Sequence, residues 1–316
     1  MGKRRLRNLL SIGIPKNQIH VHDVKTTKMN SVMREYGVSS RESIETEEPL
    51  TLFICTSPLA HFESFQSVED FNLKSVFVEA GLNPEIELDI HRICERREIY
   101  SYFSTTMNYF PFVKEITKII NNGEIGRVLH VQYSSGQNLN SWHPNENIAD
   151  YYVTKVRSSA TREIVCFELT WLSQLFGAPI GTMASIPSST CDIFQGIADS
   201  YSLLYMTEND IALTAHIDIV ATEALRSIQI QGKSGHLSWS NKEGLKVNFK
   251  ARKFEEVLEN VSEPILYDKP YKLEVTDFLA QKFTRKDFVR YLQILTLVES
   301  SLPSPVHHLL QKEINE

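Results

Sequence analysis

Gly2, at the head of "MGKRRLRNLLSIG", and Asp23, near the end of "NQIHVHDV", are spaced like the two ends of a dinucleotide cradle. In such a cradle a strand runs into G-x-G-x-x-G and then a helix. The glycines let a diphosphate approach the backbone, and its charge rests on the helix N-terminus. An acidic residue about 20 positions further on takes the ribose hydroxyls. Gly2 stands where the third glycine belongs, with Met1 before it. Lys3 and Arg4 are placed to touch the diphosphate, while Arg5 and Arg7 read as a solvated helix face. Asp23 favours NAD, and Lys25 and Lys28 keep NADP possible. Taken alone, an aspartate at a strand end is more often a turn former.

A second set of chemistry-bearing residues lies in "TREIVCFELTW", an apolar stretch of helical period. Glu163, Phe167 and Thr170 fall at i, i+4 and i+7 and share one face. A partly desolvated carboxylate has a raised pKa and can serve as a base, and Arg162 beside it can hold an anionic group. The plainer reading is that both simply favour the first turn of a buried helix. Glu168 faces elsewhere and reads as one half of a structural pair. His20 and His22 share one face of an alternating strand but lack a third ligand, so no metal is expected. The four cysteines stand far apart, which suits a reduced, cytoplasmic protein.

These residues need elements to position them. "PLTLFICTSP" and "LKSVFVEAG" are apolar runs of the kind buried on both faces of a parallel sheet, with helical stretches between them. After Tyr109 come the amphipathic "FPFVKEITKIINNGEIG", a strand, the apolar helix, and several strands joined by short turns ("TEND", "GKSG", "NKEG"). A broken helical tail closes the chain. The expected fold is α/β: a doubly wound parallel sheet over residues 1–108, then an α+β domain over 109–316 with a large, mostly antiparallel sheet. The length of 316 residues suits two domains, and the apolar and charged fractions, 42% and 23%, are those of a globular protein. A net charge of -6 argues against nucleic acid, and no apolar run approaches the roughly 20 residues of a membrane span.

Six motifs in order tie these elements together: "MGKRR", "CTSPLAH", "VFVEAGL", "VKEITKIINNGEIGRV", "SWHP" and "FLAQKF…LQILTLVESS". Over nearly its whole length the chain resembles the glucose–fructose oxidoreductase, inositol dehydrogenase and rhizopine catabolism family of sugar dehydrogenases. The resemblance implies a Rossmann-like first domain and hydride transfer between NAD(P) and a sugar or sugar-derived substrate. It also implies a homodimer or homotetramer formed through the open sheet face. Thr56, Ser57, Pro58, His61 and Glu79 become cofactor contacts, with Asn108 near the nicotinamide end. Trp142, His143 and Tyr151 fall in the loop that carries substrate contacts in the family, His143 and Tyr151 as candidate catalytic groups. Arg162 and Thr170 become substrate contacts.

The chain departs from the family pattern at the places that matter most. The lysine and proline of E-K-P are Ala80 and Gly81; the helix histidine and aspartate are Phe167 and Thr170. Glu163 is then the best available base for an alcohol proton. The alternative is a catalytically silent paralogue that binds or regulates. The motif's first strand and first two glycines are also missing. An upstream start, a strand lent by a partner, or a sheet that has closed up would each account for this, the first being the plainest.

Overall fold

The computed structural model describes residues 1–44, 47–139, 160–188, 198–249, 252–256 and 264–300. In the first half α1 (Gly2–Ser11) leads to β1 (His20–Val21), α2 (Thr26–Tyr36) and β2 (Ser39–Ser40). Then follow β3 (Leu50–Ile54), α3 (His61–Gln66), β4 (Leu73–Val78), α4 (Pro84–Arg96) and β5 (Tyr100–Phe103). Local chemistry marks the ends. Gly13 follows α1 at φ 94°, Gly37 closes α2 at φ 68°, and the Asn83 side chain caps α4 by accepting from the N–H groups of Glu85 and Ile86.

The strands are parallel as expected, but they form two sheets rather than one. Among the described residues β1 pairs only with β2, through His20–Ser39 and Val21–Ser40. β3, β4 and β5 form the other, in the order β3-β4-β5. Each sheet therefore keeps an edge, on β1 and on β3, where a continuous doubly wound sheet would place its first strand between them. The cost shows in burial. Val76, Phe77 and Val78 of central β4 are completely buried, whereas most of β3 is only half-buried. Leu6, Ile19 and Val38 make a small core of their own beside β1 and β2.

The second half contains α5 (Pro111–Asn121), β6 (Val128–Asn138), α6 (Ala160–Phe176), β7 (Pro179–Ser188), β8 (Ser200–Thr207) and β9 (Ala212–Asp218). After them come β10 (Val220–Gly232), β11 (Gly235–Ser240), β12 (Gly244–Phe249), β13 (Arg252–Glu256), α7 (Pro264–Leu279) and α8 (Arg285–Ser300). The strands form one eight-stranded sheet in the order β13-β12-β11-β10-β6-β9-β8-β7, antiparallel except where β6 lies parallel to β9. Aromatic rings seal α5 and α6 to it: Phe112 stacks on Trp239 at 3.8 Å, and Trp171 meets Tyr133 edge-on at 5.3 Å. Beneath α6 the fully buried Glu168 pairs with Arg226 at 2.7 Å and accepts from Tyr133, the structural role its position suggested. The closing helices return to the first half. Phe278 of α7 packs against Phe53 and Phe77, and Phe288 and Tyr291 of α8 pack against Phe103. Among the described residues no helix is long and apolar enough to cross a membrane.

Candidate functional site

The ends of β3 and β4 meet the first turn of α1 through Cys55 and Glu79. Gly2 has no side chain, and a Cβ built there would touch Cys55, just past β3, at 3.7 Å. No side chain caps this turn, and with the Arg4 and Arg5 N–H groups donating to the Met1 carbonyl, those of Gly2 and Lys3 are the ones open to an anion. Thr56 is exposed and Ser57 half-exposed beside it, with Pro58 buried behind. Asp23 is exposed beyond β1, accepting one bond from the Lys25 N–H at 2.8 Å. Lys3 and Arg4 are instead engaged by carboxylates, Glu35 of α2 at 2.8 Å and Asp268 of α7 at 3.3 Å. Anion binding at this turn therefore rests on the backbone.

Arg5 corrects the reading of a solvated basic face. It is 1% exposed, bonded to Glu79 at 2.6 Å and to Glu274 of α7 at 2.8 Å, with its guanidinium 4.4 Å from the Phe77 ring. Glu274 also accepts from the Thr105 N–H at 2.7 Å and from Ser104 and Thr106. Glu79, expected against the cofactor, thus serves as a counter-ion for Arg5. Reading the chain alone missed Arg5 and Glu274. One signal was available: Arg5 lies four residues before Leu9, on the edge of the leucine stripe.

His61 is also corrected. It is completely buried, its Nδ1 2.9 Å from Glu87, so it has no surface to offer a cofactor. Glu87 abuts Gly81, where a Cβ would come within 2.6 Å of the Glu87 carboxyl carbon. The Gly81 N–H donates to the Tyr291 hydroxyl at 2.6 Å, a bond that a proline could not make. The change from E-K-P to Glu79-Ala80-Gly81 is therefore matched by Glu87 and Tyr291.

Burial pushes the Glu87 carboxyl above 4.5, while His61 pulls it back. An acid raised on folding holds its proton more tightly in the folded state. The stability it contributes is complete below about 4.5 and declines as the pH rises through the folded value. Glu87→Gln, which does not titrate, is expected to lose less stability than the wild type between pH 4.5 and about 7 in urea denaturation. Equal losses in the two proteins would contradict this.

On α6, Glu163 is half-buried in the first turn. Arg162 is 3% exposed and ion-paired with Glu299 of α8, which corrects its assignment to an anionic substrate. Thr170 donates to the Phe167 carbonyl at 2.7 Å and joins Asn108 on the wall of a cavity. Trp142, His143 and Tyr151 lie outside the described residues.

Comparison with known proteins supports the same fold. Residues 113–238 match the GFO/IDH/MocA C-terminal domain. A comparison with curated protein sequences finds no match. Among solved structures, levoglucosan dehydrogenase in complex with NADH and levoglucosan is similar at 14% identity and TM-score 0.79, over 96% of this chain and 94% of that one. UDP-N-acetylglucosamine 3-dehydrogenase from Acidithiobacillus ferrooxidans is similar at 14% identity and TM-score 0.71, over 95% and 92%. An inositol dehydrogenase homolog from Azotobacter vinelandii, complexed with NAD+, is similar at 12% identity and TM-score 0.70, over 88% and 84%. At these identities the likeness is one of fold. Residues 113–238 therefore match the C-terminal domain of the GFO/IDH/MocA family, and the chain as a whole is similar in fold to these dehydrogenases.

Proposed function

We propose that this protein is an NAD-dependent oxidoreductase that interconverts an alcohol and a ketone on a sugar or sugar-derived substrate. The observation that carries the reading is the uncapped first turn of α1 lying against Cys55 at the head of the Thr56–Pro58 turn, with the exposed Asp23 carboxylate just beyond β1. The NADH and NAD+ complexes of the similar dehydrogenases support it. The N–H groups of α1 hold the diphosphate, Asp23 takes the adenosine ribose, and the Thr56 and Ser57 hydroxyls flank the path between them. A bound nicotinamide supplies the hydride acceptor. Glu163 receives the alcohol proton, being the carboxylate on the same face of α6 as Phe167 and Thr170. A homodimer or homotetramer assembled through the open face of the eight-stranded sheet belongs to the same proposal, as does a cytoplasmic location.

Calorimetric titration of NADH, then NADPH, tests the first half: micromolar binding with NADH the tighter is expected, and absence of both removes the reading. Glu163→Gln tests the second. The variant is expected to keep nucleotide affinity and lose about 10²–10⁴-fold in turnover, the usual contribution of a positioned base. Unchanged turnover would exclude Glu163.

A second reading, a catalytically silent binding or regulatory paralogue, is favoured by one observation. Ala80 and Phe167 have no group to accept a proton, and the Thr170 hydroxyl is already committed to a backbone carbonyl. Nucleotide binding without turnover on any sugar or polyol would select it.

A further inference from the structure

Lys3, Arg4, Arg5 and Arg7 stand on the first two turns of α1, and each is met by a carboxylate. Lys3 bonds Glu35, and Arg5 is buried between Glu79 and Glu274. Arg4 and Arg7, three residues apart on one side of α1, share a single partner, Asp268 of α7. Arg4 Nε lies 3.3 Å from one of its oxygens and Arg7 Nη2 3.5 Å from the other.

These partners differ in how firmly they hold. The Arg5 contacts are buried, whereas the Asp268 side chain is 40% exposed and that of Arg4 32%, so water screens their pair. The Arg4 guanidinium rests over the Tyr271 ring of α7 at 4.4 Å. A helical side chain leans toward the N-terminus of its own helix, and Arg4 is only about 3 Å of rise beyond Gly2. The open N–H groups of Gly2 and Lys3 are therefore within its reach. Arg7, roughly 7.5 Å beyond Gly2 along the axis, is better placed for α7. An anion seated on those N–H groups would be attracted by Arg4 and repelled by Asp268. If Arg4 turned to it, Asp268 would keep Arg7, and no carboxylate would be left without a counter-charge.

We propose, on the nucleotide reading of this turn, that Asp268 competes with the bound diphosphate for Arg4. In the free protein α7 holds Arg4 aside. When the turn is occupied, Arg4 exchanges its screened pair for charge-assisted hydrogen bonds to the diphosphate, and Arg7 stays with Asp268. Asp268 thereby lowers the affinity of the turn from a helix that belongs to the second half of the chain. The same helix holds the rest of α1 in place, through Glu274 on Arg5 and through Lys272, which donates to the Ser11 carbonyl at 3.0 Å. The exchange thus needs only one side chain to move.

Calorimetry on the full chain, with NADH and separately with inorganic pyrophosphate, compares the wild type with Asp268→Asn, which keeps the shape of the side chain and removes its charge. The variant is expected to bind both ligands about two- to fivefold more tightly at low salt, the scale of an exposed ion pair. The gain should fade near 1 M salt, where the screening length is about 3 Å. Arg4→Met is expected to weaken both ligands, and in that background Asp268→Asn should gain only a fraction of what it gains alone. Equal affinity of Asp268→Asn and the wild type, or the same gain with and without Arg4, would overturn the exchange and leave the NADH reading standing. Pyrophosphate bound with the expected gain but NADH not bound would remove the nucleotide reading and keep the exchange. Neither ligand bound by any of the proteins would remove both.

Discussion

Arg5→Leu is expected to cost about 3–5 kcal/mol of stability, which corresponds to roughly 10 °C in melting temperature for a chain of this kind. The side chain is 1% exposed, and its two carboxylate partners, Glu79 and Glu274, are buried with it. Removing the cation leaves both buried anions without a counter-charge, which favours their protonation. The variant's deficit should therefore be largest near neutral pH and shrink in acid, the direction of a group whose folded pKa has been raised. Replacing Arg5, Glu79 and Glu274 together with leucine is expected to recover most of the loss, because no buried charge then remains. Thermal melts of both variants at two pH values check the argument. A single variant as stable as the wild type would mean that the network contributes nothing.

Gly81→Pro is expected to destabilise by about 2–5 kcal/mol, although it restores the residue that the family pattern calls for. The ring would enter space filled by the Glu87 carboxyl, an overlap worth about 1–3 kcal/mol. It would also remove the N–H that donates to Tyr291, leaving a buried hydroxyl short of a partner at a further 1–3 kcal/mol. Adding Glu87→Ala should relieve the first penalty and leave the second. Urea midpoints for the single and double variants separate the two. If Gly81→Pro unfolds at the wild-type midpoint, Gly81 is not held as described.

Much of the fold was legible because it depends on local pattern. The leucine stripe of α1, the apolar runs of β3 and β4, and the turn chemistry at Gly13 all act over a few residues. The start of α1 at Gly2 was legible for the same reason, being a matter of neighbouring residues. Arg5 was not, because its partner Glu79 lies 74 residues away and nothing near Arg5 announces it. His61 was misassigned because a motif shows which residue stands at a turn, but not that a glutamate 26 positions later will bury it. Arg162 was misassigned likewise: Glu299, which claims it, arrives from a helix near the end of the chain. Glu168 succeeded because a charge inside so apolar a helix requires a buried counterpart, and Arg226 supplies it.

The division of the first sheet bears on how tightly any nucleotide can be held. The β1–β2 ladder is two residues long, and among the described residues its core contains three buried side chains. A unit with so few contacts opens locally at a small fraction of the global unfolding free energy. Asp23 stands just beyond β1 on this weakly held unit, while the Thr56–Pro58 turn extends from the sheet that contains the buried β4. A ligand spanning both would have to order the first while docking on the second. Part of its binding free energy would go into that ordering, so its measured affinity would fall below what the contacts alone supply.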